Sequence, residues 1–447
     1  MSGTITINST DLANAIKPQL LQMPEISIQP YSYIIFTDGT NYYAKNGKTG
    51  QIDFSGTDAG TVIQSAINAL SGKGGTIFLK AGIYVLTQQL DLSNSPGIKL
   101  VGEYGTYHEK GTILRPVSGV RAIYAHTSDP FWSEITIENI GIYGQGTLPS
   151  GVQGEIYIWS SGRVHLRNIY IRNARNVGIK LESVTVGFIE NVEIVDGVSG
   201  SGISILFGEV YVDNVVIGNL PGAGINIYNT DYVRLTNIRE YVCNTGISIN
   251  TDRGPVDIIG ATFDNNYKNG IWIWNLSYGG TFVDVKARNN NFNNQYTEKD
   301  GAGMYMRLAT GLQVIGGDFS DNRSTPYQTY GIYEDGNDYN VIINARIVGN
   351  TVAPVKLTGT HSKVIYTQGY VTQNSGKATF SGDGATTQFK IPHSLALTPS
   401  KVLVTPGSND AKDTFYVTAD ATYIYVNYAT APPPGTNNVV LYWYAEV

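Results

Sequence analysis

The sequence contains almost no cysteine and few charged residues. Cys243 is the only cysteine among 447 residues, so no disulfide can form within the chain. Its place in the segment YVCNTGISI predicts a small core residue rather than a nucleophile. Charged residues make up 15% of the chain, and the net charge of −6 includes no basic run. A nucleic-acid partner is therefore not expected, because its phosphates would require a basic surface.

Long apolar runs are also missing. The N-terminal segment MSGTITINSTDLANAIKPQLLQM has no basic stretch followed by an apolar one, so it does not have the pattern of a signal peptide. No run elsewhere is long and apolar enough to predict membrane insertion. We expect neither a metal site nor a cofactor.

The sequence does contain a repeat. Four asparagines recur every 23 residues in short alternating segments such as LRNIYI and IENVEI, and a fifth lies one longer step upstream: Asn139, Asn168, Asn191, Asn214, Asn237. A second series follows each by about ten residues: Gly178, Gly202, Gly224, Gly246, Gly270. Short strands at a fixed period with Gly/Asn turns predict a β-solenoid, in which equivalent residues stack about 4.8 Å apart.

The repeat continues with wider steps. We expect Gly260, Asn289, Gly316 and Asn344 to take the asparagine position in later coils. Phe263, Phe292 and Phe319 recur at intervals of 29 and 27 residues, which predicts an aromatic stack inside the coil. The additional residues should leave the coil as loops.

The chain divides into three predicted parts. Residues 1–55 form an N-terminal head or cap region, with a helix candidate at Asp11–Leu21 and a β-hairpin that turns at Asp38–Gly39 and Asn46–Gly47. Residues 56–372 form the coil. Residues 375–447 lack the repeat and predict a separate β-sandwich. The predicted class is all-β.

The start of the coil resembles the pectate-lyase superfamily. The stretch GTDAGTVIQSAINALSGKGGTIFLKAGIYVL matches that family's opening helix and first strand pair. The resemblance implies a right-handed parallel β-helix. Val62 to Leu70 has an apolar helical face that could cover the open end of the stack.

The C-terminal part resembles small β-modules at the distal end of phage tail and tailspike-like proteins, through segments such as FSGDGATTQFKIPHSLALTPSKVLVTPGS. The resemblance implies a homotrimer on a virus particle, held together or aided in binding by this module. It further implies location in a virion tail or outside the cell on release, with possible attachment through the N-terminal region.

Candidate chemistry lies in the later coils. Aligned on the phenylalanines, Asp264, Asp318 and Asp321 fall within two rungs, roughly 10 Å, a separation that suits two carboxylates acting on a glycosidic bond. Glu334, from a neighbouring insertion, is a fourth catalytic candidate. Aromatic and polar side chains on nearby segments would bind sugar: Tyr267, Trp272, Trp274, Tyr296, Arg323, Tyr327, Tyr330.

Two functions remain open at this point. The first is a tailspike-like depolymerase that binds and cleaves a surface polysaccharide by hydrolysis. Elimination is a less favoured route, for which Glu193, Arg239 and Glu240 could pair an acid with a cation. The second is a non-enzymatic receptor-binding fibre or adhesin. The short catalytic signatures of polygalacturonases and the calcium cluster of pectate lyases have no clear counterpart here.

Overall fold

The computed structural model describes residues 30–447 except 94, 105–109, 128–132 and 337. The helix expected at Asp11–Leu21 lies outside the described residues. The described part starts with an antiparallel three-stranded unit, β1 (Tyr33–Thr37), β2 (Tyr42–Asn46) and β3 (Ile52–Gly56). Because β1 also pairs in parallel with β4 (Gly75–Leu79), this unit continues directly into the main sheet.

Helix α1 (Ala59–Ala69) follows β3. Asp58 begins it as N-cap, its carboxylate accepting the backbone N–H of Thr61 at 2.7 Å. Val62, Ile63 and Ile67 are buried along one side of the helix. The apolar face expected from the sequence is confirmed, and it covers the first coils.

The rest of the coil consists of parallel strands. They are β5 (Gly82–Leu86), β6 (Leu90–Asp91), β7 (Ile98–Gly102), β8 (Thr112–Pro116), β9 (Ile123–His126), β10 (Glu134–Tyr143), β11 (Ile156–Trp159), β12 (Arg163–Arg172), β13 (Val177–Val195), β14 (Ser201–Tyr228), β15 (Tyr232–Thr251), β16 (Val256–Ile259), β17 (Thr262–Asp264), β18 (Ile271–Leu276), β19 (Gly280–Val283), β20 (Met304–Arg307), β21 (Leu312–Ile315), β22 (Tyr330–Asp335), β23 (Val341–Ile343), β24 (Ala353–Lys356) and β25 (Lys363–Ile365). A single 3-10 turn at Lys299–Gly301 interrupts them among the described residues. This is the right-handed parallel β-helix that the sequence predicts.

Each coil contributes one segment to each of three faces. Face A runs from β4 to β25, face B from β5 to the bridge between Arg346 and Gln368, and face C from β6 to β24. Side chains alternate between the interior and the outside of every face. One inward column of face A shows the stacking of the core: Ile77, Leu100, Ile137, Leu166, Ile189, Val212, Leu235, Ile258, Phe282, Val314, Ile342, Val364.

The repeated asparagines form the turn between faces A and B. All five have a φ of 52° to 60°, a left-handed conformation that asparagine tolerates well. Their amides bond from rung to rung, for example Asn191 Nδ2 to Asn168 Oδ1 at 3.2 Å. In later coils Gly260, Asp284, Gly316 and Asn344 take this position. The expectation of Asn289 there was wrong, because the true residue is an aspartate in the preceding segment, VDVKA.

The expected phenylalanine stack is only partly present. Phe263 and Phe319 are fully buried, but the coil between them places Ala287 at the equivalent inward position. Phe292 is 42% exposed and lies in the loop beyond, against the ring of Tyr267. Placing Phe292 in the stack was therefore wrong, and every column aligned through it shifts by five residues.

The C-terminal residues form two antiparallel three-stranded sheets over a separate apolar core. The first contains β26 (Gln373–Gly382), β31 (Gly435–Glu446) and β28 (Lys401–Pro406). The second contains β27 (Gln388–Pro392), β30 (Tyr423–Tyr428) and β29 (Phe415–Ala419), and a 3-10 turn at Asn409–Ala411 lies between the sheets in sequence. The arrangement is the β-sandwich expected from the sequence.

Candidate functional site

The four candidate catalytic carboxylates are all engaged by other groups. Asp264 lies at the end of β17 on face B, where it forms an ion pair with Arg288 at 2.6 Å. Asp318 lies on the same face and pairs with Arg346 at 3.2 Å. Their side chains keep 13% and 16% exposure, so both reach the surface of face B. Lys286 occupies the rung between them, in the column of Asp318.

Asp321 and Glu334 are enclosed. Asp321 has no exposed side-chain surface, accepts two bonds from the guanidinium of Arg323, and accepts the backbone N–H groups of Tyr327 and Gln328 at 2.7 Å each. Burial alone would raise the pKa of Asp321, but these hydrogen bonds outweigh it and lower the pKa. Asp321 therefore holds the loop of Arg323, Tyr327 and Gln328 in place. The catalytic roles of Asp321 and Glu334 remain predictions.

Glu334 faces the interior at the far end of face C. Its carboxylate accepts hydrogen bonds from Asn340 at 2.8 Å, from Ser362 at 2.6 Å and from the backbone N–H groups of Thr358 and Gly359 at 2.9 Å each. These bonds join three successive stretches of chain. A substrate outside the coil would not reach this carboxylate without displacing them.

The candidate sugar-binding residues separate into two groups. Trp272, Trp274 and Tyr330 lie on face C. The others lie in the turns from face B to face C, where Tyr267 meets Phe292, Lys268 sits over the ring of Tyr296, and Arg323 sits over the ring of Tyr327: Tyr267, Tyr296, Arg323, Tyr327. Arg323 is already bonded to Asp321, so its charge is largely committed.

The alternative pairing of Glu193, Arg239 and Glu240 is not one surface cluster. Glu193 and Arg239 share an outward column of face B, separated by Val216. Burial raises the pKa of Glu193. Glu240 is fully buried inside the coil, so its expected place beside Arg239 at the surface was wrong. Strand alternation explains this, because neighbouring residues of a strand point to opposite sides.

Face C carries an outward column of aromatic and polar side chains that the sequence reasoning largely missed. Ten residues follow one another from rung to rung: Tyr124, Tyr157, Lys180, Ser204, Asn226, Ser248, Trp272, Tyr305, Tyr333, Lys356. Aromatic rings are concentrated at the two ends, and small polar side chains lie between them. The only signal in the sequence is that these residues lie one coil length apart. Because the loops vary in length, the register of the coils cannot be read from that spacing.

The downstream cluster consists of Trp272, Trp274, Tyr305, Tyr330 and Tyr333. The two indoles meet edge to face at 6.1 Å, and Tyr333 contacts Tyr305 and Tyr330 at 5.6 and 4.9 Å. Trp274 is 42% exposed. The indole N–H of Trp272 has no hydrogen-bond partner. The cluster therefore combines apolar ring faces with a buried donor that has no partner.

Cations and acids surround the downstream cluster. Arg307 lies 4.3 Å from the ring of Trp274, and Lys356 lies 4.4 Å from the ring of Tyr333. Asp335 accepts the hydroxyl proton of Tyr305 at 3.0 Å, which raises the pKa of Tyr305 in addition to the larger effect of burial. These contacts fix the rings in place.

The upstream cluster consists of Arg121, Tyr124, His126, Tyr157, Trp159 and Lys180. His126 stacks on Trp159 at 4.2 Å, and Tyr124 meets Tyr157 at 5.8 Å. A shallow cavity of about 550 Å³ continues from Lys180 toward the downstream cluster, past Ser204 and Asn226. The cavity ends at the rung of Asn226, and the rung of Ser248 lies between it and Trp272. No group of three or more His, Cys, Asp or Glu side chains that could hold a metal occurs among the described residues.

A parallel β-helix with an aromatic and polar column along one face defines the class of this protein. The model of the family described as "right handed beta helix region" matches residues 81–239, 154–296 and 245–396, and the chain belongs to that family. No curated protein matches the sequence. In the described residues, no helix is long and apolar enough to cross a membrane.

Solved structures share the fold at low identity. The tailspike protein gp49 of Pseudomonas phage LKA1 is 12% identical with a TM-score of 0.52, covering 86% of this chain and 92% of its own. The A-module of the Azotobacter vinelandii mannuronan C-5 epimerase AlgE6 is 17% identical with a TM-score of 0.51, covering 70% and 95%. DFA-IIIase from Arthrobacter chlorophenolicus is 13% identical with a TM-score of 0.51, covering 70% and 91%. These likenesses concern the fold.

Proposed function

We propose that this protein binds a polysaccharide along face C, as a tailspike-like protein. The column from Tyr124 to Lys356 carries the proposal, because it places aromatic rings and hydrogen-bonding groups at regular steps on the outward side of a rigid sheet. Ring faces stack on the C–H faces of sugars, and the polar side chains between them suit sugar hydroxyls. A long column suits a polymer better than a small molecule.

The structural neighbours support this reading by analogy. One is a phage tailspike, and the other two are an epimerase of mannuronan and an enzyme crystallised with GF2. By the same analogy we propose a place in a virion tail and assembly as a homotrimer. Two further predictions remain proposals: the domain boundary at residue 372 and a role of the C-terminal sandwich in holding chains together. Polysaccharide binding depends on neither.

Cleavage of the polysaccharide is the finer proposal. Asp264 and Asp318 lie two rungs apart on face B and two residues apart along the strands, which separates their backbones by roughly 12 Å. The carboxyl groups of inverting glycoside hydrolases are about 6.5–9.5 Å apart, so the two side chains would have to lean toward each other. Hydrolysis there would require a substrate on face B rather than face C. The ion pairs to Arg288 and Arg346 favour the second candidate, a fibre that binds without cleaving.

Affinity electrophoresis through gels that contain bacterial surface polysaccharides tests binding. We expect the wild-type protein to be retarded by at least one of them and Trp274→Ala to bind at least tenfold more weakly, because the exposed indole supplies stacking area. Tyr442→Ala is the matched control, since Tyr442 is 52% exposed on the C-terminal sandwich. Equal retardation of wild type and Trp274→Ala would contradict the proposal.

Mass spectrometry of the same polysaccharides after incubation tests cleavage. Products that have gained water and disappear with Asp264→Asn or Asp318→Asn would support hydrolysis on face B. Unsaturated ends would point to elimination, and intact polymer that is nevertheless bound would support the fibre.

A further inference from the structure

The upstream cluster contains an arginine with buried N–H groups that have no hydrogen-bond acceptor. Nε and Nη1 of Arg121 are buried and have no hydrogen-bond acceptor. Arg121 forms no ion pair with a described carboxylate. The carboxylate of Asp91, whose charge does act on Arg121, is bonded to Ser93 instead. Buried donors without acceptors are costly, so such a group in a native protein calls for a partner.

A second cation lies beside the same ring. The guanidinium of Arg121 is 5.4 Å from the centre of the Tyr157 ring, and the ammonium of Lys180 is 4.9 Å from it. Both cations thus share one aromatic side chain. Burial lowers the pKa of Arg121, against the opposing effect of nearby tyrosines and Asp91.

Glu182 compensates for only one of the two cations. It forms an ion pair with Lys180 at 2.7 Å and accepts the hydroxyl proton of Tyr157 at 2.8 Å. Burial would raise the pKa of Glu182, but these two partners outweigh it and lower the pKa, so the group is ionised. The cluster therefore keeps one cation, Arg121, that forms no ion pair with a carboxylate of the described residues.

The surroundings of this charge suit a sugar rather than a small inorganic anion. Tyr124 contributes a second ring, 5.0 Å from the Arg121 guanidinium, and Trp159 is 39% exposed on the adjacent outward position of face C. His126, stacked on Trp159, has a buried Nδ1 with no hydrogen-bond partner. Ring faces, a buried ring nitrogen without a hydrogen-bond partner and an arginine without an ion pair thus lie in one cluster.

We propose that Arg121 and Lys180 bind the carboxylate of an acidic sugar, with the rings of Tyr124 and Trp159 beside its pyranose ring. The polysaccharide on face C is then an acidic one. This inference rests on the proposed function and adds to it the chemical class of the ligand and the end of the groove that recognises the charge.

The test compares acidic polysaccharides with their carboxyl-reduced forms. Alginate, polygalacturonate and hyaluronate are each measured by affinity electrophoresis against the same polymer reduced to the neutral sugar. We expect the full-length protein to bind at least one acidic form at least tenfold more tightly than its reduced form, since hydrogen bonds to charged groups are the stronger ones. Equal binding of both forms of every polymer would overturn the inference.

Variants locate the preference. Arg121→Gln should abolish the tenfold preference, while Arg234→Gln, an exposed arginine on face A, should keep it. An unchanged preference in a folded Arg121→Gln protein would overturn the assignment to Arg121. If this variant fails to fold by circular dichroism, Trp159→Ala replaces it, because Trp159 is exposed, and an unchanged affinity for the acidic form would then count against the site.

The outcomes separate this inference from the proposed function. Binding that ignores the carboxyl group but is weakened by Trp274→Ala would leave polysaccharide binding on face C intact and remove the acidic-sugar assignment. Binding of none of the polymers, acidic, neutral or bacterial, would remove both.

Discussion

At the scale of single residues, the least expected feature is a row of polar side chains inside the coil. Asn266 donates to Glu240 at 2.9 Å. The backbone N–H and the side-chain amide of Asn290 both donate to Oε1 of Gln328, and Gln328 donates to Asn350 at 2.9 Å. Glu240 is the first member of the row, and its Oε1 has no hydrogen-bond partner. Gly224 and Gly246 lie against the Glu240 side chain, and their lack of a Cβ leaves room for it.

Glu240 should make stability depend on pH. Burial, together with the charge of Asp264, raises its pKa to about 8 from an ordinary value of 4.5, despite the bond from Asn266. The folded state therefore holds the proton more tightly than the unfolded state. The contribution of protonated Glu240 to the free energy of unfolding is complete below pH 4.5 and is lost as the pH rises to 8.

Glu240→Gln should remove this dependence, because the amide stays neutral and can still accept from Asn266. We expect the variant to unfold at least tenfold more slowly than the wild type at pH 8 and at a similar rate at pH 4.5. Unfolding rates in denaturant measure this, and Glu190→Gln, an exposed partner of Arg167, is the control. Parallel pH profiles for wild type and Glu240→Gln would contradict the prediction.

At the scale of elements, the turn between faces A and B could be predicted from the sequence, because its requirements repeat. A left-handed residue at every coil admits asparagine or glycine, and the asparagines also bond to one another, so the period is visible in the letters. In one coil this residue is Asp284, which also adopts the left-handed conformation. The prediction chose Asn289 instead, because a run of asparagines begins there.

The ion pairs of face B were hidden by that error. Arg288 lies one rung after Asp264 and Arg346 one rung after Asp318, so each pair follows the coil offset. Alignment through Phe292 placed Asn293 where Arg288 stands. A correct register would have shown each aspartate beside an arginine. The sequence does not give that register, because it is set by loop lengths that depend on tertiary packing.

The asparagine turn makes a prediction of its own. Asn191→Ala should destabilise the coil by about 2 kcal/mol, since alanine is strained at a φ of 54° and the bonds to Asn168 and Asn214 are lost. Asn191→Gly should cost less, because glycine adopts this φ freely. Thermal unfolding at one scan rate compares the three proteins. An alanine variant as stable as the glycine variant would show that backbone strain contributes nothing here.

At the scale of the whole molecule, face A changes character along its length. Its outward column becomes aliphatic in the later coils: Ile259, Val283, Ile315, Ile343, Ile365. Ile315 is 37% exposed and the others are half-buried. We propose that this stripe packs against other copies of the chain in the proposed homotrimer, because a continuous aliphatic row would otherwise face water.

Ile315→Lys should therefore weaken assembly. We expect a shift from trimer toward monomer, because the ammonium would be buried without a partner at the interface. Sedimentation velocity over a range of concentrations measures the change. Val216→Lys is the matched control, a half-buried aliphatic residue facing outward on face B. A trimer that withstands Ile315→Lys would move the contact elsewhere, with the C-terminal sandwich as the next candidate.

If face C binds a polysaccharide as proposed, the spacing of the rungs sets the size of ligand that it can use. The column from Tyr124 to Lys356 spans roughly 40 Å at about 4.8 Å per rung, so its two aromatic clusters are several sugar units apart. A disaccharide can occupy one cluster at a time, whereas a longer chain can engage both without dissociating from the first. Affinity should thus rise steeply with degree of polymerisation and then level off, which would let the protein ignore free sugars and respond to the intact polymer.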